Sequence, residues 1–347
     1  MIRVLVAGLG NMGQSHALAY HNNPDYRIVG LVNRSPRPLP PELAGYPLYE
    51  DYAEALAATA PDLVSVATYT DTHADYAVAA MEAGAHVFVE KPLAGNVADA
   101  RRVVDAATRL GRKLVVGYIL RHHPSWQRVI AEARDLGGPY VFRLNLNQQS
   151  TGPTWEVHKA LMETTPPIVD CGVHYVDVML QITDAAPVEV RGMGLRLSPE
   201  IAPDMYNYGH FQVLFADGSL GWYEAGWGPM MSDTAFFVKD VVSPNGAVSI
   251  RMPESARSDD IDTHTKTSTL RVHRVGRADE DLSMADEPGH QDLCDREQAF
   301  VARAIAEDLD LSRHMHDAVR SLAICLAADE SVRSGQIVTL QGMEWAS

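Results

Sequence analysis

The chain has 347 residues, 46% of them hydrophobic and 21% charged, with 29 Lys and Arg against 45 Asp and Glu and a formal net charge of −16. The length exceeds one ordinary compact core and predicts two domains, and the composition is that of a globular protein and not of a disordered one. The acidic balance argues against a non-specific binder of nucleic acid or of an anionic bilayer, whose phosphates would be repelled, and leaves room for a local basic pocket.

The first third alternates strands and helices. Residues 2–7 are short, β-branched and nearly all apolar, as in a buried parallel strand. A glycine-rich turn and a helix over about 12–21 follow, then a strand over 26–32. Pro36, Pro38, Pro40, Pro41 and Pro47 make residues 33–47 a loop. A helix is expected over 51–60 with Asp51 at its start, a strand over 63–67, and a helix over 73–83 ended by Gly84. Then come a strand over 86–89, a helix over 96–110 capped by Asn96 and stopped by Gly111, and a strand over 114–117. Strands joined by single helices require a parallel sheet, and right-handed crossovers make it doubly wound. The fold class is therefore α/β, with a dinucleotide-binding domain over residues 1–120.

Residues 121–347 read as a second, α+β domain with an open, mostly antiparallel sheet. A long alternating strand covers 139–148 and a helix 168–182. Strand follows strand from 188 to about 275, with hairpin turns at Asp217-Gly218 and Asn245-Gly246. Residues 252–267 are polar, as in a mobile loop. Helices return over 291–305 and 314–333, and a last strand over 337–340. One face of such a sheet is left for a partner subunit. Cys171, Cys294 and Cys325 are far apart and odd in number, which indicates neither a disulfide framework nor a zinc site. No apolar run reaches about 18 residues, the length of a membrane span. The strand-like start at Ile2 leaves no room for a signal peptide, so the expected location is the cytoplasm.

Gly8-Leu9-Gly10-Asn11-Met12-Gly13 is a G-x-G-x-x-G between a strand and a helix. Gly8 permits the tight turn, Gly10 lets the backbone approach a pyrophosphate, and Gly13 lets the helix pack closely. The helix N-terminus then offers N–H groups and a positive dipole end to phosphates. At the end of the second strand, Asn33-Arg34-Ser35-Pro36-Arg37 lacks the carboxylate that would bind the ribose hydroxyl of NAD. Arg34 suits a 2′-phosphate, with Asn33 and Ser35 beside it, so NADP is expected over NAD. The alternative is that Arg34 stacks on the adenine and serves NAD as well.

Glu90-Lys91-Pro92 closes the fourth strand, at the sheet edge where ligands gather. Lys91 there suits an oxygen that gains negative charge, or it pairs with Glu90 as a surface ammonium. On the helix over 168–182, Asp170, His174 and Asp177 fall on one face at 100° per residue, inside an otherwise apolar segment. Aligned polar groups there need partners, either each other or a ligand, and His titrates near neutrality. Asp170 and His174 supply only two metal ligands, and no metal is expected. Tyr118 and Arg121 follow the fifth strand, and Trp155 and His158 precede the site helix. These four are substrate candidates, with packing or surface placement as the alternative.

Taken together, Gly8-x-Gly10-x-x-Gly13-x-x-His16, the turn from Thr68 to His73, Ala83-Gly84-x-His86-Val87-x-x-Glu90-Lys91-Pro92 and Asp170-x-x-x-His174 resemble the Gfo/Idh/MocA family of nicotinamide-dependent oxidoreductases. The resemblance implies a Rossmann domain followed by an α/β domain with an open sheet, often used for dimers or tetramers. It implies catalytic Lys91, completed by Asp170 and His174, with Thr68, His73 and Glu90 on the cofactor side. It also implies reduction or oxidation of a carbinol or carbonyl on a sugar, cyclitol or related polyol. Two departures touch the substrate pocket. Tyr69 stands where the family often has proline, and Thr164-Thr165-Pro166-Pro167 replaces glycines before the site helix. Rival readings are an NAD-dependent glycosidase that transiently oxidises its sugar substrate, and a silent dinucleotide-binding sensor or co-repressor.

Overall fold

The computed structural model describes residues 1–233, 237–259 and 266–342. In chain order the first elements are β1 (Ile2–Ala7), α1 (Asn11–Asn22), β2 (Tyr26–Val32), β3 (Leu48–Tyr49), α2 (Tyr52–Thr59), β4 (Leu63–Val66), α3 (Thr70–Glu82), β5 (His86–Val89), α4 (Val97–Leu110) and β6 (Leu114–Val116). Among the described residues the six strands form one parallel sheet in the order β3-β2-β1-β4-β5-β6. The order reverses direction between β1 and β4, the place where doubly wound sheets open a crevice for ligands. Local chemistry sets the helix ends. Asp51 accepts from Glu54 N at 2.8 Å and Asn96 from Asp99 N at 2.8 Å, each satisfying an orphan donor. Gly111 ends α4 at φ +61°, in the left-handed region where a glycine costs nothing. The proline-rich stretch over 33–47 holds no strand, only a 3-10 turn at Pro41–Leu43, and β3 joins the sheet edge directly after it.

The second unit begins with α5 (Pro124–Leu136) and β7 (Val141–Gln149), followed by α6 (Gly152–Leu161), α7 (Pro167–Asp170) and α8 (Gly172–Ile182). The strands β8 (Pro187–Leu195), β9 (Tyr208–Phe215), β10 (Leu220–Gly228), β11 (Lys239–Ser243), β12 (Gly246–Arg251), β13 (Thr269–Arg274) and β14 (Glu280–Ser283) follow. After them come α9 (His290–Ala306), α10 (Ser312–Ser334) and β15 (Val338–Thr339). The second sheet runs β14-β13-β12-β11-β7-β10-β9-β8-β15 among the described residues. It is antiparallel except for the parallel pair of β7 and β10. Both expected hairpins are present, with Gly218 at φ +84° and Gly246 at φ +153°. Phe142, Leu144, Phe211, Val213 and Tyr223 are buried on one face, against which α7 and α8 pack. Of the polar loop over 252–267, residues 260–265 lie outside the described residues.

Two departures from the sequence reading matter. The single helix expected over 168–182 is broken at Cys171 into α7 and α8, where His174 N bonds Cys171 O at 3.2 Å in a tighter turn. Residues after 120 also do not all belong to the second unit. Gln291–Leu322 groups with residues 1–119. The cause is burial: Val301, Ala302, Ala304 and Leu311 join Val4, Val6, Tyr20, Tyr26 and Phe88 in one apolar cluster. Amphipathic spacing announces a helix but not which core its apolar stripe enters.

Candidate active site

In the first unit β1 ends at Ala7, and the glycine turn carries the chain into α1. Gly8 sits at φ +91°, and a Cβ on it would lie 2.4 Å from Ala67 O. A Cβ on Gly13 would lie 2.0 Å from Gly8 O. Both positions are therefore closed to any side chain. Gly10 differs: nothing comes nearer to its Cβ position than the Arg37 Nη1 at 3.7 Å. Gly10 is also the N-cap of α1, with no side chain capping it and no acidic residue in the first turn. The turn is thus a cradle of open backbone N–H groups under free space, and Asn11 and Met12 supply its next two backbone amides. These residues fit a dinucleotide pyrophosphate.

Asn33 plays a different part from the one its position suggested. Its Oδ1 accepts from Leu9 N at 3.0 Å and its Nδ2 donates to Ser35 O, so it pins the glycine turn to the end of β2. Arg34 and Ser35 are exposed. Arg37 was in the stretch read from sequence but not singled out, and it brings its guanidinium beside the turn.

The corner after β5 is a buried hydrogen-bond network. Glu90 Oε1 meets His16 Nε2 at 2.6 Å, and Glu90 Oε2 accepts from Lys91 N at 3.1 Å. His16 Nδ1 lies 3.0 Å from Gln298 Nε2, and Gln298 Oε1 accepts from Tyr20 OH at 2.7 Å. The Tyr20 hydroxyl fixes the Gln298 amide, the amide N–H fixes the His16 tautomer, and His16 gives its Nε2–H to Glu90. Glu297, on the same helix as Gln298, completes the group. Ligand-type atoms of His16, Glu90 and Glu297 lie within 4.8 Å of one another, and all three residues are buried. Burial and the nearby Glu90 charge push the Glu297 carboxyl well above the usual carboxylate range. No local pattern could have announced Glu297 and Gln298, which stand more than 200 positions from Glu90. His73 is buried beside this corner, its Nδ1 2.8 Å from Pro92 O and its Nε2 3.1 Å from Thr68 O. It joins the turn after β4 to the Lys91 corner, and burial pulls its pKa down. Thr68 Oγ1 pairs with Thr72 Oγ1 at 2.7 Å. Tyr118, expected near substrate, is packed instead: it is buried with its hydroxyl 2.7 Å from Ser321 Oγ.

In the second unit residues 166–180 are buried without exception save His174, which is partly exposed. Asp170 is buried one turn before it, with the Cys171 Sγ 3.8 Å from its Oδ2. Asp177 belongs elsewhere. Arg121 donates to it through Nε at 2.9 Å and Nη2 at 2.6 Å, and Gln181 Nε2 adds a bond at 3.0 Å. Arg121, a substrate candidate from sequence, is thus engaged in a two-pronged ion pair with a fully buried carboxylate. Trp155 is buried, with Lys159 Nζ 5.8 Å from its ring. His158 stacks on Trp227 at 4.2 Å and 13°. Trp227, which the sequence did not flag, is thus the ring on which His158 lies.

Two family profiles match the chain. One, described as an oxidoreductase family with NAD-binding Rossmann fold, covers residues 2–118, and the other, the GFO/IDH/MocA C-terminal domain, covers 127–238. The chain is 31% identical over 169 residues to a 4-carboxy-2-hydroxymuconate-6-semialdehyde dehydrogenase of Sphingobium sp. (strain NBRC 103272 / SYK-6), a match covering 45% of this chain and 54% of that protein. It is 31% identical over 134 residues to an inositol 2-dehydrogenase of Salmonella paratyphi B, covering 38% of each. The chain thus spans about half or less of these curated relatives. The crystal structure of an oxidoreductase domain protein from Kribbella flavida shares the fold, with a TM-score of 0.82 and 21% identity over 98% of this chain and 99% of that one.

Proposed function

The chain belongs to the Gfo/Idh/MocA family of oxidoreductases, and from that premise we propose that it moves a hydride between NADP or NAD and a secondary alcohol or carbonyl of a sugar, cyclitol or related polyol. The observation that carries the reading is the uncapped N-terminus of α1 under the open space at Gly10, a seat for a pyrophosphate. When bound, the nicotinamide supplies or accepts the hydride at its C4. His174 takes the hydroxyl proton in oxidation and returns it in reduction, which its partial exposure on a buried segment permits. Lys91 donates to the substrate oxygen as negative charge grows on it. Asp170 orients the substrate or His174. The cofactor side uses the Gly8–Gly13 turn, and the hydride transfer so described needs no metal ion.

NADP is preferred over NAD in this reading. No carboxylate stands after β2, while Arg34 is exposed and Arg37 lies beside Gly10. Arg37→Ala or Arg34→Ala then lowers kcat/KM for NADPH more than for NADH. Equal losses for both cofactors would argue for adenine stacking. In this reading the protein works in the cytoplasm; among the described residues no helix is long and apolar enough to cross a membrane. A dimer or tetramer forms through the second sheet. The test of the whole reading is a fluorescence screen of NADPH and NADH oxidation, and of the reverse reaction, over sugars, lactones and cyclitols. Turnover that falls about 10²–10⁴-fold in Lys91→Ala and in His174→Ala, with cofactor binding retained, supports these roles. Near-normal turnover in both variants refutes them.

A further inference from the structure

The hydride-transfer reading gives no task to Glu297, a fully buried acid on α9 facing a second buried acid. Around it stand His16 and Tyr20 from α1, Glu90 after β5 and Cys294 on its own helix, with Tyr26 from β2 and Ser65 from β4 against Tyr20 in turn. The Tyr20, Tyr26 and Cys294 protons are all held more tightly than usual by burial, so none of these groups adds charge near neutrality. His16 turns its Nε2 to Glu90 Oε1 at 2.6 Å and its Nδ1 to the Gln298 amide at 3.0 Å. Two carboxyl groups so close in a buried pocket cannot both ionise without a cation between them. One of them keeps a proton, and the hydrogen bonds decide which. Glu90 receives N–H donors from His16 and from Lys91 N, both of which favour the charged form.

We propose that Glu297 is a positioning residue for Lys91: it stands beside Glu90 as the neutral acid, and so lets Glu90 remain a carboxylate that holds the Lys91 main chain in place. Ionised Glu297 repels Glu90, loosens its grip on Lys91 N and shifts the lysine that the proposed reaction needs. The inference rests on the hydride-transfer reading only for the use made of Lys91.

Two measurements on the full chain loaded with NADP address the protonation directly, without turnover. Infrared spectroscopy at neutral pH shows the carbonyl stretch of a neutral carboxylic acid, absent from Glu297→Gln. In thermal melts, the folded wild type holds a proton that the unfolded chain releases above the ordinary carboxylate range, so its stability falls as pH rises through that window. Glu297→Gln lacks this loss, and its Tm advantage over the wild type grows with pH. Where a substrate is turned over, Glu297→Gln keeps kcat and loses the alkaline decline. Glu297→Ala loses kcat on the order of 10²-fold, as a displaced catalytic group does, with the cofactor KM unchanged. If the alanine variant does not fold, the glutamine variant decides. No acid band in the wild type, the same band in Glu297→Gln, parallel melting curves, or one divalent cation bound per chain would each overturn the proposal. A wild type inert toward every polyol sinks the hydride-transfer reading, while the band and the melts still judge Glu297.

Discussion

At Asp177 a single residue separates architecture from chemistry. Its carboxylate is fully buried and receives Arg121 through two donors and Gln181 through a third. Truncating one partner leaves the other without its counter-charge, which in buried pairs costs about 3–5 kcal/mol. Arg121→Ala is therefore expected to lower the melting temperature sharply, and a variant that keeps wild-type stability while raising substrate KM would restore Arg121 to the substrate site. His73 makes a second case, set by pH. Burial lowers its pKa, so the folded protein binds its proton less readily than the unfolded chain does. The stability this gives is complete above the ordinary histidine value of about 6.5 and is lost as pH falls below it. His73→Asn should flatten that acid-side fall in Tm, and a slope equal to the wild type's would show that His73 does not set it. The motif containing His73 was legible in sequence. Its task was not, because both of its partners are main-chain carbonyls, which carry no residue identity.

The glycine turn and α1 give the sharpest contrast at the scale of an element. The three glycines of the motif look alike in sequence and differ in space. A methyl group on Gly13 would meet Gly8 O at 2.0 Å, whereas one on Gly10 meets nothing within 3.5 Å. Gly13→Ala forces the helix off the turn, an overpacking that typically costs about 1–3 kcal/mol. Gly10→Ala leaves the melting temperature of the apo chain nearly unchanged, and its methyl group occupies the space over the α1 N-terminus. Dinucleotide affinity is then expected to fall by about tenfold or more, or roughly 1.4 kcal/mol. Calorimetric titration of NADPH into both variants checks this, and unchanged affinity in Gly10→Ala would remove the pyrophosphate from the turn. Local signals of this kind made the first unit readable: Asp51 and Asn96 cap the helices they precede, and β2 and β5 fall on the residues expected of them. The break at Cys171 was not readable. The segment stays apolar and helical through it, and the proximity of Gly172 to Cys325 Sγ, 3.1 Å from a built Cβ, brings together residues far apart in sequence.

At the scale of the molecule, the second sheet poses a problem of exposure. Its strands alternate, and the residues facing away from α7 and α8 include Val141, Met193, Leu195 and Leu214, all exposed. Trp222 and Leu220 are half-buried on the same face, and exposed apolar residues gathered on one sheet face are the kind of surface that partners cover. A second copy of the chain would cover it, but each copy carries a net charge of −16. Apolar contact then has to overcome mutual repulsion, which salt weakens: the screening length is about 8 Å at physiological ionic strength and shorter above it. Light scattering should therefore find an oligomer that tightens as salt is raised, the reverse of an assembly held by opposite charges. Met193→Asp with Leu195→Asp should yield monomers with an intact first unit, shown by unchanged NADPH affinity. A wild type that stays monomeric at every ionic strength would mean that this face meets some other partner.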